Sequence, residues 1–86
     1  MAKYEIFIKP SAVKELEKLP PKDLAKITKK IQSLSDNPRP KGIQKLSHLE
    51  QYRVRLGDYR IIYSINDDHR VVDVIKIGHR KEVYRF

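Results

Sequence analysis

Residues 51–65 read QYRVRLGDYRIIYSI, and their alternation decides what this chain can build. Tyr52, Val54 and Leu56 alternate with Arg53 and Arg55. Beyond Gly57 and Asp58, Tyr59, Ile61, Tyr63 and Ile65 alternate with Arg60, Ile62 and Ser64. A period of two marks half-buried strands, and Gly at the first of two central loop positions suits a type II′ turn. The segment therefore predicts a tight hairpin. A two-residue loop also fixes its register, with Leu56 facing Tyr59, Arg55 facing Arg60 and Val54 facing Ile61. One face is then apolar and rich in tyrosine, while Arg53, Arg55 and Arg60 share the other.

Like charges directly opposite one another across two strands cost roughly 0.2 to 1 kcal/mol. A surface with purely structural duties could disperse such charges or interleave acids, giving a solvated edge hairpin. Several forked donors on one face instead suit a bound phosphate, which each guanidinium can grip with two parallel hydrogen bonds.

Working downstream, Asn66, Asp67 and Asp68 supply turn chemistry before a Val- and Ile-rich run from Arg70 to Ile77, which extends the hairpin to a three-stranded antiparallel meander. If the second loop is also two residues, Asp67 and Asp68, then Arg60 faces Ile75. Val71, Asp73, Ile75 and Ile77 then join the arginine face, with Asp73 beside Ile62 balancing the basic surface. Past Gly78 the chain delivers His79 and Arg80 to the turn end of the hairpin, and Tyr84 follows.

Upstream, Tyr4, Ile6 and Ile8 alternate with Lys3, Glu5 and Lys9 in a first strand, and Phe7 suggests partial cover on the second face. Pro10 and Ser11 start a short amphipathic helix carrying Val13, Leu16 and Leu19, which Pro20 and Pro21 end. A second helix opens at Pro21, with Asp23 near the positive end of its dipole and Leu24, Ile27, Ile31 and Leu34 on one stripe. Lys22, Lys26, Lys29 and Lys30 occupy its other positions, as a solvated surface or a nucleic-acid or ribosome-docking one. Ser35 to Pro40 terminates it, and the stretch to Glu50 reads as loop with a short strand or turn. The fold class is α+β: an N-terminal strand, a two-helix hairpin and a meander in one mainly antiparallel sheet.

Composition limits the function classes. The 86 residues suffice for a single domain over 1–86 with a modest core. The net charge of +8 favours a polyanionic or acidic partner. All seven arginines lie from Arg39 onward and eight of the twelve lysines fall within residues 1–36, so the forked donors belong to the second half. Absent cysteine excludes disulfides and thiolate zinc sites. No segment has the length or apolarity of a signal peptide or a membrane span, so a cytoplasmic protein is expected. His48, His69 and His79 lack ligand-like spacing, and Asp67, Asp68 and His69 read as a turn, so no metal is expected. There is no Gly-rich phosphate loop, and no serine carries a triad signature.

The run QYRVRLGDYRIIYSI, with VIKIGHRKEVYRF at the C-terminus, resembles the second half of RelE-family toxins of bacterial and archaeal toxin–antitoxin modules. The YR-x-x-Y and GHR-x-x-VY pieces are its most diagnostic parts, and the N-terminal strand and helices are similar too. The resemblance implies a microbial-ribonuclease-like RelE fold that cuts messenger RNA in the ribosomal A site without cofactor and is held inactive by a cognate antitoxin. It implies that Arg60 holds the scissile phosphate, that Arg80 assists the leaving group, and that Tyr84 packs on or polarises the reacting nucleotide. Arg53 and Arg55 stand where the family commonly has lysines. Arginine stays protonated at neutral pH, so these two suit charge stabilisation rather than proton abstraction. Lys45 is a further candidate phosphate contact.

Metal-free RNA cleavage needs a base for the 2′-hydroxyl proton, positive groups for the phosphorane charge and an acid for the departing 5′-oxygen. Tyr84 and His79 are the candidates for proton transfer, histidine because it titrates near neutrality. Two other functions fit a basic chain of this pattern. One is a gyrase-poisoning toxin of the ParE branch, and the other is an RNA- or ribosome-binding module without catalysis.

Overall fold

A computed structural model describes residues 3–46 and 50–79. The chain runs through strand β1 (Glu5–Ile8), helices α1 (Pro10–Glu17) and α2 (Pro21–Ser33), then strands β2 (Gln44–Lys45), β3 (Gln51–Leu56), β4 (Tyr59–Asn66) and β5 (Val71–His79). The five strands form one sheet in the order β1-β5-β4-β3-β2. Only β1 and β5 pair in parallel; the β2–β3, β3–β4 and β4–β5 pairs are antiparallel.

Both helices begin with proline at a first-turn position, where the missing N–H would have had no intrahelical partner. They cover the same side of the sheet, α1 over β5 and α2 over β3. Their inward residues, Ala12, Ile27, Ile31 and Leu34, meet Val54, Ile61, Tyr63, Val72, Val74 and Ile77 in one core. Truncating a buried Ile or Leu to Ala costs about 2–5 kcal/mol. Against a total stability of about 5–15 kcal/mol, two such losses amount to a large share of the whole. Val13, expected on the inward stripe of α1, is 40% exposed, and fully buried Ala12 takes that place. The helix is rotated so that Ala12, Leu16 and Leu19 face inward, because a small residue lets its backbone approach β5 closely. Phe7 alternates with the core-facing Ile6 and Ile8, and so lies on the other face of β1, 51% exposed.

The β3–β4 hairpin has the register its sequence dictates, pairing Leu56 with Tyr59, Arg55 with Arg60 and Val54 with Ile61. Gly57 takes φ +60°, as a type II′ turn demands of its first central residue. The β4–β5 pairing differs from the two-residue-loop expectation in two ways. Asn66 pairs with Val71, so the loop has four residues, 67–70, and Arg70 adopts φ +54°. A bulge then sits opposite Ile62 and Tyr63: Tyr63 pairs with Val74 and Ile62 with Lys76, leaving Ile75 as the extra residue. The inserted residue reverses the alternation of everything after it. Arg60 therefore faces Gly78 rather than Ile75, Asp73 lies opposite Ser64 rather than Ile62, and Ile77 is fully buried in the core instead of sharing the arginine face.

The helix-side face is tied together by polar groups. The Tyr63 hydroxyl donates to the Pro38 carbonyl at 2.7 Å, and burial pushes that phenol up to about 12. Asp67 accepts from both terminal nitrogens of Arg39, at 3.1 and 2.9 Å, and from the Tyr4 hydroxyl at 2.7 Å. The Arg39 guanidinium, then Tyr4, hold the Asp67 carboxyl down at about 2. Arg39 also lies over the Tyr52 ring, 5.5 Å from its centre. This cluster joins the loop after α2 to the β4–β5 turn.

Candidate functional site

Alternation along β3 and β4 sets the geometry of the basic face. Arg55 and Arg60 are direct partners, and Arg53 is opposite Ile62, the next position along the same face. On the far side of β4, Gly78 lies opposite Arg60 and Lys76 opposite Ile62. Lys76, half-buried, is a basic neighbour that strict alternation assigns to the wrong side; only the bulge brings it here. Gly78 presents no side chain to compete for the space beside Arg60.

The three arginines differ in environment. Arg55 is exposed. Arg53 is 8% exposed, and its terminal nitrogen donates to the Gln44 side-chain oxygen of β2. Arg60 is 6% exposed. Its Nη1 turns back on the hairpin, donating to the Tyr59 carbonyl at 3.2 Å and reaching the Gly57 carbonyl at 3.5 Å. Its Nε is buried with no hydrogen-bond partner among the described residues. A buried donor left unmade costs about 1–3 kcal/mol, and more on a charged group. Arg60 thus combines a like-charged partner, long contacts to two neutral carbonyls and an unmet donor. An anion accepting from Nε and a terminal nitrogen together would relieve all three.

The remaining candidates sit elsewhere. His79 is paired with Tyr59 and meets its ring edge-on, with centres 6.1 Å apart. That is the helix side of the sheet, where His79 and Tyr59 line a recess of about 470 Å³ with Asp23 and Lys26, and the Tyr59 hydroxyl donates to Asp23 at 2.8 Å. His79 is at the turn end of the hairpin, on the face opposite Arg55 and Arg60. Lys45 pairs with Tyr52, whereas its neighbour Gln44 pairs with Arg53. It therefore alternates away from the arginine face, and it forms an ion pair with Glu50 at 3.4 Å. Arg80 and Tyr84 lie outside the described residues, as does His48.

Sequence reasoning missed Gln44, Lys76 and the Tyr59–Asp23 bond. Gln44 sits on a two-residue strand too short to carry a period, and Tyr59 reads simply as core. Among the described residues no group of His, Asp and Glu side chains has the makings of a metal site, and no helix is long and apolar enough to cross a membrane.

Comparison with known proteins places this architecture. The family model for the ParE toxin of the type II toxin–antitoxin system parDE matches residues 6–84. Toxin RelE of Mycobacterium tuberculosis is 34% identical over 84 residues, covering 95% of this chain and 87% of that protein. Toxin RelG of the same organism is 32% identical over 84 residues, covering 95% and 97%. Among solved structures, the archaeal RelE–RelB complex from Pyrococcus horikoshii aligns with a TM-score of 0.82 at 32% identity, covering 91% of this chain and 96% of that one. The RelBE2 toxin–antitoxin complex from M. tuberculosis aligns with a TM-score of 0.82 at 29% identity, covering 92% and 100%. The chain belongs to the ParE toxin family of type II toxin–antitoxin systems, as a toxin of the RelE type with the RelE fold.

Proposed function

We propose that this toxin is a metal-independent endoribonuclease that cuts messenger RNA in the ribosomal A site, and so inhibits translation, in the cytoplasm. The observation that carries the reading is the Arg55–Arg60 pair, whose buried donor at Arg60 Nε has no partner among the described residues. In the reaction the 2′-oxygen attacks the adjacent phosphorus and loses its proton to a base. The bond from phosphorus to the 5′-oxygen breaks, leaving a 2′,3′-cyclic phosphate and, once protonated, a 5′-hydroxyl. Negative charge builds on the phosphoryl oxygens in between, and preorganised guanidinium donors stabilise it without reorganising.

Arg60 holds the scissile phosphate, exchanging the carbonyls of Gly57 and Tyr59 for phosphoryl oxygens. Arg53 and Arg55 neutralise the flanking charge. Lys45, on the opposite face of the short edge strand β2, contributes an outer phosphate contact only by releasing Glu50 and reaching round that edge; the release is cheap, since a surface ion pair is worth only about 0–1 kcal/mol. Arg80 and Tyr84 take the leaving-group and nucleotide-packing roles on the strength of the GHR-x-x-VY motif. For His79 to move a proton at a phosphate held by Arg60, its imidazole must swing round the end of β5 and leave Tyr59. A cognate antitoxin is the natural partner, since RelB accompanies the toxin in the solved complexes.

The family description names ParE, which keeps gyrase poisoning as the second reading. Incubation with programmed ribosomes and, separately, with gyrase and relaxed plasmid decides between them. Cut message ending in 2′,3′-cyclic phosphate is the expected result. Intact message with blocked supercoiling would replace it with the gyrase reading, and ribosome binding without cleavage would leave an inert binder.

A further inference from the structure

The arginine face ends at an edge that the sheet leaves open. Strand β2 pairs only with Tyr52 and Arg53, so the outer side of β3 from Val54 to Leu56 carries no strand among the described residues. At that end Leu56, the neighbour of exposed Arg55, forms a shallow surface recess with Lys26, Lys29, Lys30 and Ser33 of α2. The three lysines sit at spacings of three and four residues, on one flank of the helix. None of them forms an ion pair among the described residues. The one acid of α2, Asp23, receives the Tyr59 hydroxyl instead. Lysines this close repel, by about 0.2–0.5 kcal/mol per pair; Asp23, three residues before Lys26, offsets part of this at Lys26 and leaves Lys29 and Lys30 without an acid in the helix. The recess wall is almost wholly apolar, formed by Leu56 and the lysine stems, with the ammonium groups free to reach beyond it.

We infer that the α2 lysines, the open edge of β3 and Arg55 form one continuous basic band, and that it carries the single-stranded flank of the RNA whose phosphate Arg60 holds. The inference rests on the ribonuclease reading and adds a track to it. A phosphodiester backbone fits because the band has point charges in series; the acids at its rim are Asp23, which accepts from the Tyr59 hydroxyl, and Asp58 of the hairpin turn, both lining the neighbouring recess with Lys26 rather than the one under Lys29 and Lys30. The lysines bind successive phosphates without reading sequence. Leu56 and the lysine stems offer the apolar floor on which a sugar or base edge can lie.

The test uses 2′-O-methyl oligoribonucleotides, which lack the attacking hydroxyl and so cannot be cut, at lengths of about 4 and about 12 nucleotides. Binding to the full chain is measured across a salt series for wild type, for Lys26→Gln/Lys29→Gln/Lys30→Gln and for Arg60→Ala. Each phosphate neutralised on a single strand contributes about −0.7 to the slope of log affinity against log salt. The triple variant is expected to flatten that slope by about 2 for the long oligonucleotide, with affinity about tenfold or more lower at low salt, and to leave the short one unchanged. Lys26 and Lys29 are exposed and Lys30 is half-buried, so exchange for glutamine, which keeps most of each stem, leaves the melting temperature close to wild type, which circular dichroism checks. An unchanged slope for the long oligonucleotide overturns the track, and so does equal weakening at both lengths, which would mean a diffuse field rather than a path. If Arg60→Ala abolishes binding while the triple variant is inert, only the track falls. If the triple variant behaves as expected and Arg60→Ala is inert, the track stands and the phosphate assignment of Arg60 falls. A wild type that binds neither oligonucleotide sinks both.

Discussion

The two faces of the sheet treat polar groups in opposite ways. On the helix side Tyr63, Tyr59, Tyr4 and Arg39 each find a partner in the same chain, through Pro38, Asp23 and Asp67. On the other side Arg60 is buried nearly as deeply as Tyr63, yet it faces another arginine and its Nε has no partner among the described residues. Both faces come from the same two strands and the same alternation, so the contrast cannot be blamed on poor packing. Buried polar groups in a folded protein are ordinarily satisfied, and exceptions concentrate where binding or chemistry needs them. The helix side holds the fold, and the arginine side holds unmet capacity for an anion.

The sharpest way to break this contrast is Arg60→Ala. Removing one donor from a preorganised anion site costs about 100- to 1,000-fold in rate, so cleavage on programmed ribosomes should fall by that order while thermal stability holds or rises. Loss of both activity and folding would make Arg60 a structural residue like those opposite. Tyr63→Phe asks the reverse question. It strips the Pro38 carbonyl of its buried donor, at about 1–3 kcal/mol, or roughly 4–8 °C in melting temperature per kcal/mol for a domain of this size. Cleavage measured below the lowered transition should match wild type.

His79→Asn sharpens the boundary between the faces. Because the imidazole sits against Tyr59 on the helix side, the variant should keep near-wild-type cleavage with an unshifted pH profile. A lost limb in that profile would bring His79 into proton transfer. The smallest effect is expected from Asp67→Asn. With its folded value held near 2 by Arg39 and Tyr4, the carboxylate lends stability above its ordinary value of 3.8 and loses it as pH falls towards 2. Urea titrations should show a modest deficit in the variant at pH 7 that closes between pH 4 and pH 2. A deficit independent of pH would assign it to packing rather than charge.

The hairpin was legible down to its register because Gly57 and Asp58 set the loop length, and a set loop length assigns every side chain to a face. The β4–β5 pairing was not, for two physical reasons. Arg70 takes a left-handed conformation that non-glycine residues seldom adopt and that no residue type announces. The bulge at Ile75 falls within an unbroken apolar run, where an extra Ile looks like any other. In α1, spacing alone could not say that Ala12 would outrank Val13 for the tightest place against β5. The arginine cluster could be grouped from the hairpin alone, but the burial that separates Arg60 from Arg55 depends on the whole molecule.

The bulge at Ile75 makes β5 a strand with two phases. Its first half matches parallel β1, sending Val72 and Val74 inward, and its second half sends Ile77 inward and leaves Lys76 and Gly78 to the arginines. A uniform strand could satisfy either neighbour but not both. The residue count between Val74 and Ile77 is therefore as tightly constrained as any side chain in the core. Deleting Ile75 would retain every polar and apolar residue type that matters, yet exchange the inside and outside of the strand beyond it.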